Sequence, residues 1–127
     1  MILGTGIDLA SPSRLQEAHA RRGPSLLQRL FTPAEIADCQ RHRNPWPGFA
    51  ARFAAKEAFL KALGTGLRKG LAWKQMEVRK DDLGRPYLHC TGTAAELLQD
   101  LGARKIHLSL SHLEDLGIAQ VVLEGHE

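Results

Sequence analysis

The sequence predicts an α+β domain in which a small antiparallel sheet packs with helices. The elements read as strand, several helices, hairpin, helix, hairpin, which is not the strict alternation that builds a parallel sheet. The two hairpins carry acidic-glycine turns, Asp81-Asp82-Leu83-Gly84 and Glu114-Asp115-Leu116-Gly117, between runs of strand-like residues. No segment repeats, and 127 residues suit a single domain spanning 1–127, because domains typically run about 100 to 200 residues.

Ile2 to Asp8 places Ile2, Leu3 and Ile7 around two glycines and reads as a short first strand ending on an acid. Ser11 and Ser13 offer N-caps and Pro12 suits a first helical turn, so a helix is expected to about Arg22, stopped by Gly23-Pro24. A second helical stretch covers Leu26 to Phe31. Thr32-Pro33-Ala34-Glu35 supplies an N-cap, a proline at N1 and a capping-box glutamate for a third helix to about His42. Asn44 to Gly48, with two prolines, is expected as a tight connector. Phe49 to Leu63 is alanine-rich, free of glycine and proline, and followed by Gly64 at the C′ position, so it predicts a long central helix. Gly64 to Gly70 is a basic loop. Trp73 to Arg79 is expected as a strand, with Met76 and Val78 on opposite faces, returning through Pro86 to Cys90. Thr93 to Leu101 reads as a short helix closed by Gly102, and Ile106 to Ser111 with Ile118 to Leu123 as the last two strands.

Hydrophobic content of 43% and charged content of 24% are globular values. With no basic leader and no long apolar run, neither a signal peptide nor a membrane span is expected, and residence is expected to be cytoplasmic. Cys39 and Cys90 form no CxxC and have no histidine at zinc-ligand spacing, so both read as small buried apolar side chains. The net charge of +3 favours an acidic partner. The excess is concentrated between Arg14 and Arg43, where six arginines (14, 21, 22, 29, 41 and 43) meet three acids, Glu17, Glu35 and Asp38. Aromatic residues are not interleaved with this charge, which argues against nucleic acid as the partner.

Glu57 and Lys61 lie four apart and project from one helix face beside Phe53, Ala54, Ala58 and Leu60, an apolar setting for two charges. By spacing alone the ordinary reading is a surface ion pair worth about 0.3 to 0.5 kcal/mol. Gly64-Thr65-Gly66 follows that face and exposes backbone amides to any phosphate or ribose that approaches. A helix C-terminus repels anions, so a phosphate there needs Lys61, Arg68 or Lys69. Neither the P-loop nor the Rossmann fingerprint occurs. Asp8 reads as a capping aspartate or, with a second carboxylate such as Glu57, as half of a magnesium environment completed by waters and phosphate oxygens. In Ile106 to His112, alternation sends His107, Ser109 and Ser111 to one face and Leu108, Leu110 and His112 to the other. No GxSxG elbow supports a serine triad.

Four segments together, Gly4-Thr5-Gly6-Ile7-Asp8, Arg52-Phe53-Ala54-Ala55-Lys56-Glu57-Ala58-Phe59-Leu60-Lys61-Ala62-Leu63-Gly64-Thr65-Gly66, Gly84-Arg85-Pro86 and His107-Leu108-Ser109-Leu110-Ser111-His112, resemble the small bacterial 4′-phosphopantetheinyl transferases, the holo-acyl-carrier-protein synthases. The resemblance runs in order over nearly the whole chain. It implies the 4′-phosphopantetheinyl transferase fold, assembled as a homotrimer with coenzyme A held in clefts at the subunit interfaces. It implies Mg2+ on Asp8 and Glu57, and transfer of phosphopantetheine from coenzyme A to a serine of apo acyl carrier protein, in fatty acid biosynthesis, with release of adenosine 3′,5′-bisphosphate.

On this resemblance Asp8, Glu57, Lys61 and His107 form the catalytic set. Lys61, Gly64, Thr65, Gly66, Pro86 and His107 line the coenzyme cleft. Arg52 and Lys56 point away from the Glu57 face and are assigned to nucleotide phosphate or a neighbouring subunit. Arg14, Arg21 and Arg22 make a basic stripe for docking an acidic carrier protein, where complementary charge speeds encounter. The general base stays open among a magnesium-bound water, Glu57 and Asp8. A non-catalytic coenzyme A or nucleotide-binding module is the alternative, and the joint presence of Asp8, Glu57 and Lys61 disfavours it.

Overall fold

In the computed structural model, which describes residues 1–68 and 70–127, the chain is organised around one long helix. The strand β1 (Ile2–Ala10) leads into α1 (Pro12–Arg22), α2 (Ser25–Leu30) and α3 (Pro33–Gln40), then α4 (Trp46–Leu63). A 3-10 turn at Trp73–Gln75 opens β2 (Met76–Lys80), which returns as β3 (Pro86–Cys90). The chain continues through α5 (Gly92–Leu101) into β4 (Ala103–Leu113) and β5 (Leu116–Gly125).

The caps expected from sequence are used. Ser11 caps α1 by accepting from Arg14 N, and Thr32 and Glu35 form a complete capping box on α3. Gly64 ends α4 in the left-handed region, at φ +79°. Three expectations need correction. The first is α4, which begins at Trp46, because Pro47 falls in its first turn, where a missing N–H costs nothing, so the expected connector shrinks. The second is Trp73, which sits in a 3-10 turn ahead of the strand. The third concerns Met76 and Val78, which are both buried on one face, as residues two apart on a strand must be.

The strands form a three-stranded antiparallel sheet in the order β1-β5-β4 and a separate two-stranded β2-β3 hairpin. The larger sheet packs one face on α4. Its inward rows include Asp8–Ala119–Leu110 and Gly6–Val121–Leu108, and its outward rows are Thr5–Val122–His107, Ile7–Gln120–Ser109 and Leu9–Ile118–Ser111. A Cβ added at Gly6 would stand 1.9 Å from Ala58 O, and one at Gly4 2.0 Å from Ala62 O, so these glycines let β1 lie backbone-to-backbone on α4. One hydrophobic cluster lies between α4, the large sheet and the hairpin, and a second lies under α1 to α3 around Phe31 and Phe49. Cys39 is buried and Cys90 half-buried, both unpaired, with burial pushing their thiols up to about 11 and about 12. Among the described residues no helix is long and apolar enough to cross a membrane.

Candidate active site

The close β1–α4 contact brings the end of the strand against the last two turns of the helix. Lys61 Nζ donates to Asp8 Oδ1 at 2.9 Å and to Ile7 O at 2.9 Å. Asp8 is shielded, its side chain 15% exposed against 55% for Lys61. Glu57, one turn earlier on the same face, titrates above the usual carboxylate range. Burial is the larger cause, followed by the charge of Asp8, with Lys61 opposing both. Two carboxylates therefore face each other beside one ammonium, and the surface pair read from spacing alone is a three-residue cluster anchored to a strand.

This cluster fits a hard divalent cation. Asp8 already draws a cationic group, the Lys61 ammonium, and burial followed by the nearby Asp8 charge disfavours the ionised form of Glu57, which an added cation would restore. Among the described residues no group of three or more His, Cys, Asp or Glu could enclose a metal. Two carboxylates with room for waters and phosphate oxygens match magnesium, which is seldom caged by protein alone.

The cluster lies where two clefts meet. The larger, about 830 Å³, runs between the end of β1, α1, α2 and the β4–β5 turn, with Arg14, Arg22 and Arg29 above an apolar floor that includes Leu26 and Leu30. The smaller, about 500 Å³, is lined by Glu57, Leu60, Lys61, Gly64, Gly66, Leu67 and Trp73. Thr65, half-buried, donates its hydroxyl to Gly66 O at 3.0 Å. Lys69, considered for phosphate neutralisation, lies outside the described residues.

Other expected residues are placed elsewhere. His107 is on the outward face of the sheet, opposite Asp8, and pairs with Glu124 at 2.8 Å. Pro86 opens β3 opposite Lys80 and lines neither cleft. Arg52, expected at a nucleotide phosphate or a neighbouring subunit, lies away from both clefts. Its guanidinium is buried, donates to Gly48 O and lies beside Asp38, because helical geometry turns it inward. Lys56 likewise is fully buried against Glu35 and does not reach solvent or phosphate. Arg21 is exposed on α1, just outside the first cleft that Arg14 and Arg22 line.

Three contributors were not assigned to the site from sequence. Trp73 lines both clefts, Arg29 adds a third arginine to the first, and Asp115 accepts from Ser11 Oγ, Ser13 N and Ser13 Oγ, tying the β4–β5 turn to the start of α1. The available signals were an aromatic just after the glycine loop, an arginine within the basic segment and two serines flanking the first residue of a helix.

A family model described as the 4′-phosphopantetheinyl transferase superfamily matches residues 4–121. A holo-[acyl-carrier-protein] synthase of Geotalea daltonii is 51% identical over 98% of this chain and 99% of its own. Among solved structures, the holo-[acyl-carrier-protein] synthase from Neisseria meningitidis matches with a TM-score of 0.89 and 35% identity, covering 98% of this chain and 99% of that one. The holo-(acyl-carrier-protein) synthase from Bacillus anthracis, solved in complex with CoA (3′,5′-ADP), matches with a TM-score of 0.81 and 34% identity over 99% of each chain. A strand-end aspartate locked onto a helix that carries Glu57 and Lys61, in this fold and with these relatives, leads to one conclusion: the chain belongs to the 4′-phosphopantetheinyl transferase superfamily, among its holo-[acyl-carrier-protein] synthases.

Proposed function

We propose that the chain transfers 4′-phosphopantetheine from coenzyme A to the serine of an apo acyl carrier protein, in the cytoplasm and in the service of fatty acid biosynthesis. The observation that carries this reading is the Asp8–Glu57–Lys61 cluster at the junction of two clefts. The solved Bacillus anthracis relative, in complex with CoA (3′,5′-ADP), supports the donor. Asp8 and Glu57 would hold Mg2+, which when bound supplies positive charge to the pyrophosphate. Lys61, steered by Ile7 O and Asp8, adds fixed positive charge at the same place. The serine oxygen bonds to the β-phosphorus, the bond from that phosphorus to the bridging oxygen breaks, and adenosine 3′,5′-bisphosphate leaves. The hydroxyl proton passes to the carboxylate pair. Catalysis of this kind is mainly positioning and charge neutralisation, which a rigid strand–helix joint suits.

Gly64 and Gly66 line the second cleft after Lys61 and, with Thr65 between them, would take the coenzyme together with Pro86 and His107. The last two belong to a neighbouring copy in this reading. The outward face of the sheet leaves Ile7 54% and Leu9 57% exposed and carries His107. Apolar surface of that kind favours burial against a second chain, and a homotrimer joined there closes each cleft with His107 of a neighbouring copy. Arg14, Arg21 and Arg22 dock the acidic carrier protein, with Arg29 deepening the same positive field.

Incubating an apo acyl carrier protein with coenzyme A, Mg2+ and this protein should add the mass of phosphopantetheine. A carrier that keeps its apo mass by mass spectrometry overturns the assignment.

A further inference from the structure

Trp73 is the one residue among those described that packs against both hydrophobic clusters. With Glu57, it is also one of two that line both clefts. Trp73 therefore stands at the boundary between the clefts, and its position is braced. The ring packs on Phe53, with centroids 5.2 Å apart. The Trp73 carbonyl accepts from Lys56 Nζ at 3.2 Å, and the same ammonium donates to Leu30 O at 2.6 Å and Glu35 Oε1 at 2.7 Å. An ammonium has three N–H donors, and all three are used.

The brace continues beyond Lys56. Glu35 also accepts from Thr32 N and from Val78 N, both at 3.0 Å, so α2, α3, α4, the Trp73 turn and β2 meet at one buried ion pair. Lys56 and Glu57 are adjacent and so point about 100° apart on α4. One faces the brace while the other faces the boundary between the clefts. Nothing in the transfer chemistry uses Lys56 directly, and its place in the fold is explained by what it holds still.

We infer that Trp73 is a specificity-determining residue, with Lys56 as its positioning residue: the indole wall limits what the thiol end of a phosphopantetheine donor can carry past Glu57. This rests on the proposed donor. A flexible amide chain bound at Glu57 runs along Trp73 whichever cleft it enters, because Trp73 lines both. Free coenzyme A fits beside the wall, and a bulky acyl thioester meets it.

The test compares kcat/KM for coenzyme A and for octanoyl-coenzyme A. Trp73→Ala should raise the octanoyl-to-free ratio by about tenfold or more, as discrimination by apolar pocket volume allows. Trp73→Phe should lie between, and it decides the matter if the alanine variant does not fold. A ratio within about twofold of the parent in the folded variants overturns the inference. A second readout does not depend on turnover. The chain has two tryptophans, so Trp46→Phe leaves Trp73 as the sole emitter. Adding coenzyme A should change its emission saturably, and Lys56→Met in that background should red-shift the emission and weaken the change. Emission that ignores coenzyme A overturns the wall. Emission that responds equally with and without Lys56 overturns the brace. If the parent transfers nothing from any donor, the failure lies with the proposed function, and the titration alone decides the placement of Trp73.

Discussion

Lys61 Nζ and Asp8 Oδ1 are 2.9 Å apart although 53 positions separate the two residues. A helix face and a strand end thus share one charge cluster, with Glu57 one turn before the lysine. The contact is exposed on the lysine side, so its value is geometric more than stabilising: it places an ammonium and two carboxylates around one point.

Glu57→Gln and Asp8→Asn should each lower kcat/KM by about 100-fold or more, the scale on which fixed electrostatic groups act. Both variants should keep the circular dichroism spectrum and melting behaviour of the parent, because neither side chain is part of the core. Near-parental turnover in both would remove Mg2+ from Asp8 and Glu57.

Gly6→Ala should destabilise the fold by about 1 to 3 kcal/mol or more, the cost of overpacking, because the new methyl carbon would lie 1.9 Å from the Ala58 carbonyl oxygen. Chemical denaturation reads this directly. A variant as stable as the parent would mean that β1 and α4 separate easily.

Arg14→Glu should raise KM for the carrier protein at low ionic strength more than KM for coenzyme A, since Arg14 lines the first cleft and not the second. Added salt should shrink the difference by screening. Equal effects on both substrates would rule out docking along α1.

Ile7→Asp should shift the sedimenting species from three times the 14.0 kDa chain to a single chain and reduce transfer with it. The charge would fall on the outward row Ile7–Gln120–Ser109. A parent that sediments as one chain at working concentration would overturn the proposed trimer.

Asp115 is held below the usual carboxylate range, first by the Ser13 side chain, then by the Ser13 backbone N–H and Ser11. Its folded pKa is thus lower than its unfolded value. The stabilisation is present above the unfolded pKa, near 3.8, and is lost as pH falls through the folded one. Asp115→Asn should therefore lower Tm at pH 7, and the gap from the parent should close below about pH 4. A gap that persists in acid would mean that charge on Asp115 is not what matters.

The helix that carries Glu57 and Lys61 was readable because its signals are local: an alanine-rich run, a glycine stop, and two charges one turn apart. The capping box at Thr32 and Glu35 was readable for the same reason. What sequence could not supply was depth. Arg52 and Lys56 look like surface cations beside a motif, and only the packing of α2 and α3 over α4 reveals that they are inside. His107 was correctly placed on a polar strand face, but the side of the sheet it occupies relative to Asp8 depends on the β1-β5-β4 order, a long-range pairing without a local signature. Trp73 escaped for a related reason, since a boundary between two clefts exists only once both clefts do.

Gly4 and Gly6 give the β1–α4 joint a mechanical character. At Gly4 and Gly6 the strand meets the backbone of the helix directly, with no side chain there to repack, and this close seat fixes where Asp8 stands relative to Glu57. Adaptation to different carrier proteins would then fall to α1, which carries Arg14 and Arg22 and meets α4 through side-chain packing of Leu15 and Ala18 in the second cluster. A backbone-tight joint at the proposed carboxylate site thus stands beside a side-chain-packed face at α1, and substitutions on the second need not disturb the first.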